Sequence, residues 1–233
     1  MSGIADRLRS VQDRIARAAE GVERDPSTIE LVAVSKTKTT AEVREAVEAG
    51  ARAFGENYVQ ELLRKREEIG DTVDWHYIGH LQTNKAKYLV PFCALIHSVD
   101  SAKLATEIDR RAREHNRRQP ILIEVRLSGE DTKFGIDAGE VVSLAQAVRE
   151  LPGVDLRGLM VMPPFAEDPE ASRPYFVRLR GLQDALCEAG IPPENCSQLS
   201  MGMTGDFEVA VEEGATIVRV GTAIFGPRQP AGA

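Results

Sequence analysis

A lysine at the end of an apolar run is the residue in this sequence best suited to covalent chemistry. Residues 31–34 are all apolar, and Ser35 and Lys36 follow directly. Such a run predicts a strand buried on both faces, as in a parallel sheet. In parallel α/β folds ligands collect at the carboxyl ends of strands. A partly buried lysine there can form a Schiff base with an aldehyde. The alternative is a strand-end lysine that reaches water.

Small and hydroxyl-bearing residues follow two later predicted strands. Ser200 and Gly202 end the first, and Gly221 and Thr222 lie in the second. Glycine lets backbone amides approach an anion, and a hydroxyl can donate a hydrogen bond to it. In barrels, phosphate groups bind at the last two strand ends. Either stretch alone could be a plain turn, but the two together predict a phosphate site.

An arginine interrupts the apolar run that precedes Gly221. Arg219 would be buried there, and a buried guanidinium must be paired or meet a ligand. An ion pair with a glutamate such as Glu208 and a contact with a ligand are both open. His80, at the end of another predicted strand, could lie against a planar ligand or support one from behind. Together, Lys36, a phosphate site and Arg219 suggest pyridoxal phosphate, whose aldehyde, phosphate and ring nitrogen would each find a partner.

Strands and helices alternate along the whole chain, and this pattern would bring the strand ends together. Eight strands with seven intervening helices predict a single (β/α)8 TIM barrel of the α/β class. An extra N-terminal helix, 4–19, precedes it, and residues 1–233 form one domain. A doubly wound open sheet is the alternative, although the nucleotide-binding glycine motifs of such sheets are absent. The predicted strands are 31–36, 51–56, 74–80, 94–100, 120–127, 154–162, 197–202 and 215–226.

The composition excludes several other classes. A net charge of −7 argues against nucleic acid and acidic membranes as partners, because polyanions are not attracted. Three cysteines without a CxxC pair and four scattered histidines predict neither a disulfide framework nor a metal site. The N-terminus lacks the apolar core of a signal peptide, and no apolar run approaches a membrane span. A cytoplasmic protein is expected.

At the level of longer motifs, the sequence resembles the pyridoxal phosphate homeostasis proteins (the YggS/PROSC type). The resemblance runs nearly end to end. It also extends to the N-terminal barrel of the alanine racemases. The stretches that carry it are LVAVSKTK (31–38), FGENYVQE (54–61), WHYIGHLQTNK (75–85), HSVDS (97–101), KFGI (133–136), GLM (158–160), LSMGMTGDFEVAVEEG (199–214) and VRVGTAIFG (218–226).

The resemblance implies a role for each predicted site residue. Lys36 would hold pyridoxal 5'-phosphate as a Schiff base, and Arg219 would face the pyridine nitrogen, which it would leave unprotonated. Asn57 and His80 would line the pocket. The phosphate would lie on Ser200, Gly202, Gly221 and Thr222. Three stretches depart from the family pattern, namely Arg126, residues 161–165 and Thr204-Gly205.

The resemblance also implies a binding and delivery protein rather than an enzyme. Such a protein would buffer the cofactor in the cell, could pass it to apo-enzymes, and is expected to be a monomer with no catalytic residue. The alternative is an amino-acid racemase, which needs a second base. In the racemases this base is a tyrosine from a second domain, and this chain ends soon after the eighth strand. A third possibility is a regulatory module that docks through the basic N-terminal helix or the strip 110–118, although a solvated helix face explains both.

Overall fold

Eight parallel strands form the centre of the protein. The computed structural model describes residues 3–128 and 134–227. A ninth strand of two residues, β6, pairs in parallel with the end of β5. The strands are β1 (Glu30–Val34), β2 (Ala53–Glu56), β3 (Asp74–Tyr77), β4 (Leu95–Val99), β5 (Gln119–Arg126), β6 (Ile136–Asp137), β7 (Val154–Val161), β8 (Gln198–Ser200) and β9 (Ile217–Val220).

The pairing of the strands closes the sheet into a barrel. The sheet order is β4-β3-β2-β1-β9-β8-β7-β5, and β4 also pairs with β5. All these pairings are parallel. The ring confirms the predicted (β/α)8 barrel and excludes the open sheet, because the first and last strands are joined with Val32 opposite Arg219.

Helices cover the outside of the barrel. The capping box of Thr39 and Glu42 begins α2, and the Ser101 side chain caps α5. The predicted N-terminal helix is confirmed as α1, whose apolar face is buried. The helices are α1 (Ile4–Glu20), α2 (Thr40–Glu48), α3 (Val59–Ile69), α4 (Ala86–Leu89), α5 (Ala102–Glu114), α6 (Val141–Arg149), α7 (Arg173–Glu188), α8 (Phe207–Glu212) and α9 (Thr222–Phe225).

The last predicted strand is shorter in the structure than in the sequence prediction. The apolar pattern of 215–226 indicates one long strand, but β9 ends at Val220. The backbone N–H groups of Ile224 and Phe225 both donate to the carbonyl oxygen of Gly221, which starts the helical turn α9. Thr222 therefore lies on a turn at the mouth of the barrel instead of inside a strand.

The interior of the barrel is apolar at one end and polar at the other. Side chains alternate between the two faces of a strand, so residues two positions further along point to the same side. Going two positions along β4, β5 and β9 leads to His97, Glu124 and Arg219, near the carboxyl ends. The apolar layer consists of Val32, Ala53, Leu95, Leu122, Met160 and Ile217. No helix in the described part of the chain is long and apolar enough to cross a membrane.

Candidate binding site at the carboxyl end of the barrel

A cavity of about 400 Å³ opens at the carboxyl ends of the strands. Its size is that of a small-molecule site. Five of the eight predicted site residues line it, namely Lys36, Asn57, Arg219, Gly221 and Thr222. The other lining residues are Val34, Ile78, Met162, Pro164, Phe165, Ala166, Met203, Thr204, Gly205 and Asp206.

The structure places His80 in a neighbouring cavity of about 610 Å³. Its ring stacks on Phe134 with centroids 3.7 Å apart, and Nδ1 lies 3.8 Å from Asp100 Oδ2. Asn57 lines both cavities. Its buried side-chain oxygen has no hydrogen-bond partner among the described residues. A polar atom of this kind is costly to bury.

Gly202 and Ser200 lie behind the wall of the cavity. Gly202 has a φ of 91°, and a Cβ there would lie 2.5 Å from the Cβ of Ala210. Only glycine therefore lets α8 pack this closely on the end of β8. Its carbonyl oxygen also accepts the backbone N–H of Arg219. The position of Gly202 thus supports the wall.

The backbone that carries Lys36 is held from behind by a buried lysine. Lys65 is fully buried, and its Nζ donates to the carbonyl oxygen of Ser35 at 2.5 Å. Nζ also lies 2.6 Å from Glu56 Oε1 and 2.8 Å from Glu61 Oε1. Burial raises the pKa of Glu56, and the Lys65 ammonium opposes that rise. A buried charge with this many partners is compensated.

The same cluster holds the residues on both sides of Lys36. The Ser35 hydroxyl donates to Glu56 Oε1 at 2.6 Å, and the Thr37 N–H donates to Glu61 Oε1 at 2.6 Å. Thr37 has a φ of 66°, which is strained for a β-branched residue. The surrounding contacts therefore impose a specific backbone course at the base of the Lys36 side chain.

Arg219 is also buried, but its hydrogen bonds go to neutral acceptors. One guanidinium nitrogen donates to Ser200 Oγ at 2.5 Å and another to the Val161 carbonyl oxygen at 2.8 Å. The pair with Glu208 is not formed, because Glu208 binds Arg14 of α1 at 2.7 and 2.9 Å. Within residues 3–128 and 134–227, no carboxylate is close enough to Arg219 for an ion pair. Burial lowers the pKa of Arg219 to about 10, so it stays charged at neutral pH.

A chain of hydrogen bonds runs from Arg219 down the barrel interior. Ser200 Oγ is 2.9 Å from His97 Nδ1, and His97 Nε2 is 3.0 Å from His76 Nδ1. Arginine can only donate, so the Ser200 oxygen accepts from Arg219, and its hydroxyl proton is available for His97 Nδ1. Burial lowers the pKa of His76 to about 4 and holds that of His97 well below its usual value, so both rings are neutral.

Two acidic residues act electrostatically on Arg219, namely Asp206 and, with the larger effect, Glu124. Glu124 is buried, and its Oε2 has no hydrogen-bond partner in the described part of the chain. Burial raises its pKa to about 7, the charge of Asp100 adds to the rise, and Arg219 opposes it. Glu124 is therefore only partly ionised at neutral pH, and it compensates the positive charge of Arg219 only in part.

The sequence prediction missed Thr204, which joins the two mouth segments. Its Oγ1 accepts the backbone N–H groups of Gly221 and Ala223 at 3.3 and 3.5 Å. A Cβ on Gly221 would lie 3.2 Å from the Val34 carbonyl oxygen, so glycine lets this segment lie against the end of β1. The available signal was a hydroxyl two residues after Gly202, which was noted only as a departure from the family pattern.

The residues after β7 form an apolar lip that the sequence prediction also left out. Met162 and Phe165 line the cavity, yet 41% and 92% of their surfaces are exposed. No tyrosine belongs to the cavity wall formed by the described residues. The described residues also contain no cluster of three or more histidine, cysteine or acidic side chains that could hold a metal ion.

The family comparison covers almost the whole chain. Residues 7–229 match the family model described as alanine racemase, N-terminal domain. A pyridoxal phosphate homeostasis protein of Aquifex aeolicus (strain VF5) is 46% identical over 228 residues, which are 96% of this chain and 98% of that protein. The protein of that name from Escherichia coli (strain K12) is 41% identical over 234 residues, with 98% of each chain covered.

Solved structures of related proteins share the fold of this chain. PipY of Synechococcus elongatus PCC7942, in the structure with PLP bound, is 37% identical with a TM-score of 0.85, and the match covers 96% of this chain and all of that one. An alanine racemase of Clostridium difficile 630 has a TM-score of 0.72 at 16% identity, which shows a shared fold alone. That match covers 94% of this chain and 56% of the racemase.

Proposed function

The chain belongs to the family of pyridoxal phosphate homeostasis proteins, and from this premise we propose that it binds pyridoxal 5'-phosphate and buffers its supply in the cell. The observation that carries the proposal is that Lys36, Arg219 and the hydroxyls of Thr204 and Thr222 line one cavity. A lysine amine suits the aldehyde, a guanidinium suits the ring nitrogen, and hydroxyls with backbone amides suit the phosphate. PLP is also the molecule in the PipY structure.

In this proposal each end of the cavity holds one end of the ligand. Lys36 forms a Schiff base with the aldehyde, and the buried Lys65 cluster keeps its backbone in place. Arg219 donates to the pyridine nitrogen from its position against Ser200. Thr204, Gly221 and Thr222 bind the phosphate. Bound pyridoxal phosphate would supply an electron-accepting ring, but an arginine at the nitrogen leaves that ring a weak electron sink.

Ser200, Gly202 and His80 contribute indirectly in this proposal. Ser200 orients Arg219, and Gly202 lets α8 pack behind the phosphate segment. His80 stays beside the site, because it lines the neighbouring cavity and stacks on Phe134. Asn57, which lines both cavities, is the link between them.

Binding without turnover is the function that the cavity favours. Racemisation needs bases on two faces of the substrate carbon, and a base must come within hydrogen-bond reach. Lys36 could be one base, but the described cavity wall offers no tyrosine as the second. Tyr77, the most buried tyrosine, donates its hydroxyl to the carbonyl oxygens of Asn57 and His80 instead.

The test is the absorption spectrum of the protein with pyridoxal phosphate, followed by borohydride reduction and peptide mapping. We expect a visible band and a reduced adduct on Lys36, and we expect Lys36→Arg to lose both. Lys38→Arg is the matched control, because Lys38 lies two residues away and donates to carbonyl oxygens of Phe225 and Pro227. A wild-type protein without a band, or an adduct that persists in Lys36→Arg, would contradict the proposal. An alanine racemase assay on the same sample should give no turnover.

We further propose that bound cofactor is handed to apo-enzymes by a monomeric protein in the cytoplasm. These three points stay predictions of the sequence. Direct transfer is tested by reactivating an apo-enzyme while a phosphatase destroys free pyridoxal phosphate. Reactivation that survives the phosphatase supports direct transfer, and reactivation that disappears contradicts it. Light scattering of the purified protein tests the monomer.

A further inference from the structure

Two cysteine side chains lie in contact on the flank of the barrel. Cys187 is in the last turn of α7, and Cys196 follows the short 3-10 turn Pro193–Asn195 that leads into β8. Both cysteines are reduced, and their sulfur atoms are 3.0 Å apart. A disulfide has a sulfur–sulfur distance of about 2.05 Å, so about one ångström of movement closes the bond.

The backbone on both sides of the pair is fixed by local hydrogen bonds. The Gly190 N–H donates to the carbonyl oxygen of Cys187 at 3.0 Å, and the Gln183 side chain donates to that of Cys196 at 2.5 Å. Ile191 is buried and donates its N–H to Leu186. The two sulfurs are therefore held together by the fold of the helix–turn segment that carries them.

The two thiols differ in exposure to solvent, so they would take different roles in an oxidation. Cys187 is exposed and can be reached by a small oxidant, whereas Cys196 is buried. Burial raises the pKa of Cys196 to about 12, and its hydrogen bond to Cys187 adds to the rise. Cys196 thus keeps its proton, and its thiol also donates to the carbonyl oxygen of Pro192 at 3.4 Å, whereas Cys187 is the thiol that an oxidant can reach.

We propose that Cys187 and Cys196 form a dithiol that a hydroperoxide oxidises to an intramolecular disulfide. Cys187 loses its proton and its sulfur attacks one peroxide oxygen, the O–O bond breaks, and hydroxide leaves as the sulfur becomes a sulfenic acid. That hydroxide takes up the proton from Cys187 and becomes water. The Cys196 sulfur then attacks the Cys187 sulfur and the S–O bond breaks. The departing hydroxide takes the Cys196 proton and leaves as water. Two thiols are oxidised and one hydrogen peroxide is reduced to two waters.

The third cysteine is an internal control. Cys93 is fully buried, and its Sγ contacts the carbonyl oxygens of Trp75 and Leu95. Burial raises the pKa of Cys93 to about 12. It has neither access to an oxidant nor a thiol partner among the described residues. Oxidation of the folded protein should therefore spare it.

The experiment treats the reduced full-length protein with hydrogen peroxide and counts free thiols after denaturation. We expect the count to fall from three to one, and the intact mass to fall by about 2 Da. Cleavage after Glu188 and Glu194 separates the two cysteines in sequence, so fragments that remain joined until reduction identify the disulfide. Peroxide that leaves all three thiols, adds oxygen without a disulfide, or links two chains through Cys187 would overturn the proposal.

Two variants divide the reaction into its steps. Cys196→Ser should stop at the sulfenic acid of Cys187, which dimedone traps as a stable adduct, whereas the wild type should give little adduct. Cys187→Ser, at an exposed position, should keep its two remaining thiols. Cys93→Ser should form the disulfide as the wild type does. Loss of thiols in Cys187→Ser at the wild-type rate would contradict the assignment of Cys187 as the attacking thiol. The outcome is independent of cofactor binding.

Discussion

Lys65 and Arg219 are two buried cations near the carboxyl ends of the strands, and their partners differ. Lys65 contacts two carboxylates and a carbonyl oxygen. Arg219 donates to a hydroxyl and a carbonyl oxygen. Carboxylates neutralise the charge of a buried cation, so such a cation interacts weakly with a ligand. A cation whose acceptors are neutral keeps its charge uncompensated and can bind an electron-rich ligand atom. The partners of a buried charge therefore distinguish an anchor of the fold from a group that binds a ligand.

The polar interior around Arg219 strengthens this contrast. The neutral His97 and His76 rings fix the Ser200 hydroxyl without adding a second positive charge. Glu124 acts on Arg219 from a distance but does not form an ion pair with it. The interior thus orients the guanidinium and leaves its charge only partly compensated. Lys65, in contrast, fixes the strand end beneath Lys36.

The largest effect is expected for Lys65→Met. This variant leaves the carboxylates of Glu56 and Glu61 without their cation, and breaking a buried pair in this way costs about 3–5 kcal/mol of unfolding free energy. Urea unfolding measures the loss. The matched control is Arg66→Met at the next position, where the exposed pair with Asp71 contributes less than about 1 kcal/mol. Equal losses in the two variants would remove the distinction between the anchor and the surface pair.

The next effect is a pH dependence from Glu124. Its pKa is about 7 in the folded protein and 4.5 in the reference state, so between these pH values the folded state retains a proton that the unfolded chain has released. Stability therefore falls as pH rises through this window, by about 3 kcal/mol in total. Glu124→Gln should lack this decline in urea unfolding at pH 5 and pH 8. An unchanged decline would show that another group carries it.

Arg219→Met should mainly weaken the binding of pyridoxal phosphate. Removing a charged donor costs about 1.5–3 kcal/mol of binding, which is a 10- to 100-fold loss of affinity for pyridoxal phosphate. The variant should lose less stability than Lys65→Met, because Ser200 keeps its hydrogen bond to His97. Absorbance titration and urea unfolding measure the two quantities. Unchanged affinity with a large loss of stability would reverse the roles assigned to Arg219 and Lys65.

The smallest effect is expected at the phosphate end of the cavity. Thr204→Val keeps the shape but removes the hydroxyl that accepts from Gly221 and Ala223. The variant also loses the hydrogen bond that the Thr204 hydroxyl would donate to the phosphate, worth about 0.5–1.5 kcal/mol, so affinity for pyridoxal phosphate should fall about 2- to 10-fold. The affinity for pyridoxal, which lacks the phosphate, should not change. Thr204→Ser, which keeps the hydroxyl, should bind pyridoxal phosphate as the wild type does. An equal effect on both ligands would place Thr204 away from the phosphate.

The sequence predicted the barrel and four of the cavity-lining residues because these depend on local patterns, whereas Asn57 was predicted from the family resemblance. Apolar runs predict the strands, and helical periodicity predicts the helices. The end of a strand is recognised by the polar residues that follow its apolar run. Lys36 stands out because it ends an apolar run, and Arg219 because it interrupts one. Their positions, at a strand end for Lys36 and within a strand for Arg219, are enough to place both residues near the mouth of the barrel.

The remaining features depend on contacts between distant segments. Lys65 lies in a helix rich in charges, where a solvated position is the ordinary expectation, and it is buried because it reaches the end of β1. Ser200 lies at a strand end, but its side chain meets Arg219 and His97 from two other strands. Cys187 and Cys196 are nine positions apart, and only the turn between them brings their sulfurs together.

The most direct test is the ¹⁵N NMR spectrum of bound pyridoxal phosphate labelled at the pyridine nitrogen. If Arg219 is the cation that binds the ring, the nitrogen accepts a hydrogen bond from it, and we expect the signal of an unprotonated nitrogen that shifts in Arg219→Met. Lys65→Arg should leave the signal in place. A protonated nitrogen in the wild type, or a signal that Arg219→Met does not move, would contradict the role of Arg219 as the ligand-binding cation.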